Sequence, residues 1–270
     1  MSRFLIRSLP PEHYARELLA HLRISTIPTP VEIICKNLGI ILNYSLGLSC
    51  ESLIAKKNGK IGIIINDRET YGHRKRFSIG HELGHFSIPS HLQDTYQCNI
   101  NDLNNYSPDK IAELEANQFA SELLMPSNHF LPDVKKHELS LLNIIQLSNK
   151  YDTSLISTAI RFIKTTEDLG AIVLSENNSI KWTFHSPHFF GLIRDRGPLH
   201  ISSTAYDYFE YGFNISHSCR RVSSDVWSDH FDGTTLIEET LSMPLLELTL
   251  SVIKPLPEYV DEHYEAYYGS

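Results

Sequence analysis

With 270 residues, 41% of them hydrophobic, the chain can bury one sizeable core and a second, smaller one. Lys and Arg number 24 against 32 Asp and Glu; the net charge of −8 disfavours direct nucleic-acid binding, and no apolar run approaches the ~18–20 residues that cross a bilayer. The opening Met-Ser-Arg-Phe-Leu-Ile-Arg-Ser-Leu-Pro-Pro lacks a secretory leader's apolar segment and cleavage site, and Cys35, Cys50, Cys98 and Cys219 show no close spacing, so a cytoplasmic protein with reduced thiols is expected.

Residues 11–23 and 31–38 are helical in pattern. Residues 40–44, 52–56 and 60–66 predict strands, the last two joined by Asn58-Gly59, a strong hairpin signal. Together they predict a small antiparallel sheet lying against the next helix. Ile61-Gly62-Ile63-Ile64-Ile65 is a candidate edge for backbone pairing with an extended peptide; it reads equally well as a buried structural strand.

Residues 74–86 predict a continuous helix, with Phe77, Leu83 and Phe86 as its apolar residues and Pro89 stopping it a turn later. Gly80 and Gly84 each cost about 1 kcal/mol against Ala in a helix, so their presence points to close approach of another backbone. The helix carries His81-Glu82-Leu83-Gly84-His85. Positions four apart share a helix face, with Cβ atoms about 5–6 Å apart, so both imidazoles can converge on one tetrahedral cation. Glu82 is placed to take a proton from a bound water. The spacing encodes a metal-dependent hydrolase.

Catalytic zinc takes three protein ligands and keeps a fourth position for water, so a third must come from elsewhere. Residues 111–125 predict a second helix, closed by Pro126, whose apolar positions Leu114, Phe119, Leu123 and Leu124 leave Glu113, Asn117 and Glu122 off the core-facing stripe. Glu113 is the candidate third ligand, with Glu115 its competitor. Asn117, four residues after Glu113, can reach the free nitrogen of a ligating imidazole and fix its tautomer. Residues 91–106 supply a loop between the two helices.

These residues carry a family resemblance. His81-Glu82-Leu83-Gly84-His85, then Glu113-Leu114-Glu115-Ala116-Asn117-Gln118-Phe119-Ala120, then Leu123-Leu124-Met125-Pro126, resemble the ImmA/IrrE family of metallopeptidases. The resemblance implies an α+β fold with a zincin-like peptidase core and a gluzincin-like site, with His81, His85 and Glu113 as zinc ligands and Glu82 as catalytic base. Glu113 is preferred to Glu115 because it stands in the ligand's place relative to the Leu-Leu-Met-Pro ending. In the implied mechanism Glu82 accepts the proton of a water whose pKa zinc lowers towards ~7, then passes it to the leaving amine. A further donor should stabilise the oxyanion; His73, Tyr96 and His91 are all candidates. The implied substrate is a cognate helix-turn-helix repressor of the XRE type, cut once to switch on stress-response or mobile-element genes.

Residues 140–150 and 154–164 predict two helices broken at Tyr151-Asp152-Thr153, a helix-turn-helix in outline. The second offers only Arg161 and Lys164 for base contacts, which favours packing over DNA readout. Beyond a short linker at 165–168, strands are expected at 171–174, 180–184 and 246–253, with Asn177-Asn178 at a turn, before an acidic tail holding Tyr259, Tyr264, Tyr267 and Tyr268. The resulting domains are a peptidase at 1–130, a helical unit at 131–168 and a C-terminal α+β domain at 169–270, for which the resemblance implies a GAF-like shape and a sensory or partner-binding role. Two further hypotheses compete with the protease: a non-proteolytic binding protein, such as a toxin–antitoxin partner, with a latent or structural metal site, and a DNA-binding regulator.

Overall fold

Pro11 opens the first helix, α1 (Pro11–Leu22), at a position where a missing amide hydrogen costs nothing. Helix α2 (Val31–Asn37) buries Val31, Ile34 and Cys35. Three strands follow, β1 (Ile41–Ser45), β2 (Ser52–Lys57) and β3 (Lys60–Asn66). Asn58 and Gly59 both adopt positive φ, 52° and 71°, which matches the right-handed twist of the strands they join. After them come α3 (Gly72–Ser87), β4 (Thr95–Cys98) and α4 (Pro108–Leu124). This computed structural model describes residues 9–68, 72–93, 95–98, 108–189, 193–229 and 234–256, so the tyrosine-rich tail lies outside the described residues. The architecture is mixed α+β, in two units: Met1–Phe130 with Ser148–Ser154, and Leu131–Leu147 with Leu155–Ser270.

In the first unit the strand order is β1-β3-β2-β4. β3 runs parallel to β1 and antiparallel to β2, and β4 pairs antiparallel with β2. The sheet is therefore mixed and not purely antiparallel. Moreover, β3, the candidate peptide-binding edge, is an inner strand. Residues 46–51 carry the chain from β1 past a gap one strand wide, and the hairpin folds β3 back into that gap with Ile63 and Ile65 buried. The outer strands are β1 and β4. The core joins Ile79 and Leu83 of α3 to Phe119 and Leu123 of α4, to Ile63 and Ile65 of β3, and to Ala15 and Leu19 of α1.

Helix α4 is followed by α5 (Ser127–Val134), α6 (Leu141–Tyr151) and α7 (Leu155–Thr165). Glu122, off the apolar stripe in the sequence, is buried at the end of α4. Its carboxylate accepts the Ser127 amide at 2.9 Å and the Ser127 hydroxyl at 2.7 Å, satisfying the first turn of α5.

The second unit contains β5 (Ala171–Glu176), β6 (Ser179–His185), β7 (Gly197–Pro198), α8 (Thr204–Tyr211), β8 (Ser218–Ser223), β9 (Thr235–Met243) and β10 (Leu248–Pro255). Their six-stranded sheet has the order β7-β6-β5-β10-β9-β8, with every neighbouring pair antiparallel. The strand expected from residue 246 begins at Leu248, because Pro244–Leu246 form a 3-10 turn and Glu247 has φ 55°. Helix α8 and strands β8 and β9 add to the elements expected from sequence. Ser203 caps α8, accepting the Tyr206 amide, and Gly212 ends it in the left-handed conformation. Among the described residues no helix is long and apolar enough to cross a membrane.

Candidate metal centre

Helix α3 is buried over Ser78 to His85, where Gly80 and Gly84 lie against Ala120 and Ala116 of α4. At Gly84 the two backbones approach so closely that a side chain there would hold the helices apart. That crossing carries Glu113, Ala116 and Asn117 past the histidine face of α3.

The three candidate ligands meet there. His81 Nε2 and His85 Nε2 are 3.0 Å apart, Glu113 Oε2 is 2.9 Å from the first and Glu113 Oε1 3.3 Å from the second. One donor atom from each residue lies within 4.8 Å of the others, a group able to hold a metal ion. Glu115, the competing ligand, is not in this group; its Oε2 lies 3.0 Å from His91 Nε2.

The far nitrogens of both imidazoles are also engaged. His81 Nδ1 lies 2.9 Å from Asn117 Oδ1, and His85 Nδ1 lies 3.0 Å from His91 Nδ1. With Nδ1–H of His81 donating to the amide oxygen, Nε2 is left as a lone pair aimed at the cluster. Two such lone pairs facing each other and a carboxylate at 2.9–3.3 Å repel unless a proton or cation lies between them. Those separations are close to the edge, about 3.3 Å, of a tetrahedron built on ~2.0–2.1 Å bonds. The donor set of two imidazoles and a carboxylate fits zinc by chemistry as well.

Without a cation, protons take its part. Burial disfavours the charged form of His81, but the hydrogen bond to Glu113, the charges of Glu82 and Glu113 and the bond to Asn117 outweigh it, and its pKa is raised. His85 goes the other way, lowered to about 4, chiefly by burial and with the neighbouring His81 and His91 adding to it against the Glu113 hydrogen bond. For Glu113, burial favours the neutral acid, yet its hydrogen bonds to His81 and His85 and their charges hold the carboxyl well below the usual carboxylate range.

Glu82 is 0% exposed beside His81, and its charge acts on both the His81 imidazole and the Cys50 thiol. The three oxyanion candidates separate. His73 sits at the start of α3 with Nδ1 2.8 Å from Asp152, which also binds Arg76. Tyr96, on β4, stacks on His85 with ring centroids 4.0 Å apart, and its hydroxyl accepts the Gln93 amide at 3.3 Å. His91 lies behind His85. Its structural importance was carried in the sequence by a spacing: it follows His81 as the third histidine does in H-E-x-x-H-x-x-G-x-x-H enzymes, though with Ile88 in place of the glycine.

In the second unit, α7 leaves only Lys164 exposed, and its ammonium lies 4.9 Å over the Phe184 ring. Arg161 is half-buried.

Residues 43–162 match the family model of the IrrE N-terminal-like domain, peptidase family M78. Among solved structures, a Mycobacterium tuberculosis transcriptional regulator is similar with a TM-score of 0.60 at 12% identity, over 96% of this chain and 80% of that one. At that identity the likeness is of fold alone. No curated protein matches the sequence.

Proposed function

We propose that this chain, a member of the ImmA/IrrE family through residues 43–162, is a zinc-dependent endopeptidase that cuts a helix-turn-helix repressor of the XRE type at one bond and thereby releases stress-response or mobile-element genes. The single observation behind this reading is the convergence of His81 Nε2, His85 Nε2 and the Glu113 carboxylate, with Glu82 next to the first of them. Bound zinc would supply a Lewis acid and an acidified water. Glu82 would be the base that accepts a proton from the attacking water and returns it to the leaving amine. Asn117 fixes the orientation of His81, and the Tyr96 ring covers one face of His85. A transcriptional regulator of similar fold suits a role in gene control without naming a target. On the same reading, the C-terminal part of the second unit, an antiparallel sheet covered by α8, is a GAF-like sensing or partner-binding part.

The test is Glu82→Gln in the full chain. It should keep zinc at the wild-type stoichiometry and lose cleavage of the repressor encoded beside it, by at least ~100-fold. If the variant kept full biological activity, a binding role with a structural metal would replace the enzyme.

A further inference from the structure

The proposed chemistry uses His81, Glu82, His85 and Glu113 and leaves two ionisable groups next to them without a task. His91 is 4% exposed, on the segment that leaves α3, and Glu115 projects from α4 between Leu114 and Ala116. They form a line: Glu115 Oε2 lies 3.0 Å from His91 Nε2, and His91 Nδ1 lies 3.0 Å from His85 Nδ1.

The hydrogens along this line follow from elementary rules. An ionised carboxylate only accepts, so His91 Nε2 carries a hydrogen. With its one hydrogen on Nε2, the neutral form of the His91 imidazole presents a lone pair at Nδ1, and in that form the 3.0 Å contact to His85 needs a donor from His85. His85 Nδ1 is then the donor, which leaves His85 Nε2 as a lone pair facing His81 and Glu113. We propose that His91 and Glu115 are a positioning couple that fixes His85 in its Nδ1–H tautomer and so aims Nε2 at a divalent cation. The two ligating histidines are held differently: His81 by an amide oxygen, His85 by an imidazole backed by a carboxylate. His91 is not itself a ligand, because α3 runs on to Ser87 and Pro89 turns the chain so that this ring meets the back of His85.

The proposal rests on the reading that His81, His85 and Glu113 hold a cation, and is independent of what is cleaved. Two measurements on the full chain separate the two ideas. The first is zinc affinity by chelator competition, with His91→Phe removing the acceptor at similar volume, His91→Asn restoring an oxygen at the Nδ1 position, and Glu115→Ala and Glu115→Gln testing the carboxylate end. His91→Phe should bind zinc 10–100-fold more weakly, Glu115→Ala about 10-fold, while His91→Asn and Glu115→Gln stay within a few-fold of wild type. The second is the imidazole 15N spectrum of the metal-free protein at neutral to alkaline pH. His85 should be the Nδ1–H tautomer in wild type and revert towards the ordinary Nε2–H form in Glu115→Ala, a variant at a half-exposed position that leaves the core untouched. Wild-type zinc affinity in Glu115→Ala together with an unchanged His85 tautomer overturns the couple. A wild-type protein that binds no zinc overturns the ligand reading instead, and the tautomer measurement still decides the couple.

Discussion

Gly84 and Ala116 touch so closely that a Cβ on Gly84 would lie 3.0 Å from Ala116 Cα and 3.3 Å from its carbonyl oxygen. The contact is backbone against backbone, and it sets the separation of α3 and α4 at the level of the ligands. Gly84→Ala must push the helices apart, at a cost of about 1–3 kcal/mol of overpacking that the ~1 kcal/mol gain in helix propensity only partly offsets. At Gly80 the nearest atom, Ala120 Cβ, is 3.4 Å away, an ordinary contact. Gly80→Ala is thus expected to be neutral or stabilising by up to ~1 kcal/mol. Thermal melts and zinc titrations of the two variants should diverge, Gly84→Ala losing both stability and affinity. Equal behaviour would mean that the crossing does not govern the site.

Glu113 and Glu115 stand two residues apart and meet different groups, Glu113 the two Nε2 atoms and Glu115 His91, so on the proposed roles their substitutions should separate. Glu113→Ala removes one of three donors and should abolish tight zinc binding, with the two Nε2 atoms left facing each other. Asn117→Ala removes only the acceptor behind His81 and should weaken zinc binding by 10–100-fold. Equilibrium dialysis of the metal-free proteins distinguishes the two, and a Glu113→Ala protein with wild-type affinity would transfer the ligand role elsewhere.

The histidine helix was legible in the sequence because both its signals are local, the four-residue spacing and Pro89 after the last turn. The rotation of α4 was harder to read. Leu114, assigned to its apolar stripe, is 49% exposed, whereas Glu122, assigned outside it, is buried. Beside Phe119 and Leu123, the face of α4 that meets α3 includes Ala116 and Ala120 against glycines, small residues that add little to any hydrophobic pattern. Strand order was illegible for another reason: nothing within Ile61–Ile65 says whether its two edges meet strands or solvent. Strand β9 was hidden by its own buried polar residues, Glu238, Glu239 and Thr240, which interrupt the apolar signal that a core strand normally gives.

The metal-free centre should make stability depend on pH in a particular way. Between its ordinary 6.5 and about 4, His85 takes a proton in the unfolded chain that the folded chain refuses, so stability declines as pH falls through that window. His81 has a raised pKa, so its contribution is complete below 6.5 and is lost as pH rises through the folded value, when its ion pair with Glu113 disappears. Glu113, held low, adds stability above its ordinary 4.5 that is lost on further acidification. Chelator-treated protein should therefore melt highest near pH 6.5, with losses of up to about 3 kcal/mol by pH 4. Zinc should cancel the alkaline decline, because a neutral His81 is what a cation requires. Melting temperatures of the metal-free protein that climb steadily from pH 6.5 to 8 would contradict the protonated His81–Glu113 pair.

Glu238 and Glu239 are adjacent on β9 and therefore point to opposite faces of the six-stranded sheet. Each is buried and each holds the start of a helix. Glu238 Oε1 accepts the Thr204 amide of α8 at 2.7 Å, and Glu239 Oε2 accepts the Leu141 amide of α6 at 2.9 Å while its Oε1 pairs with Lys254 at 3.1 Å. A carboxylate at a helix N-terminus meets both unpaired amide hydrogens and the positive end of the helix dipole. Removing one leaves buried donors behind, so Glu238→Ala and Glu239→Ala should each cost about 2–4 kcal/mol. Glu238→Gln keeps an acceptor and should cost less than half as much. The two alanine variants should also differ: Glu239→Ala leaves Lys254 still donating to the Leu139 carbonyl, whereas Glu238→Ala strips Arg220 of its carboxylate. Urea unfolding followed by the fluorescence of Trp182 and Trp227, both in the same unit and the second fully buried, reads these losses directly. Alanine variants with an unshifted midpoint would mean that solvent, and not these two carboxylates, satisfies the helix starts.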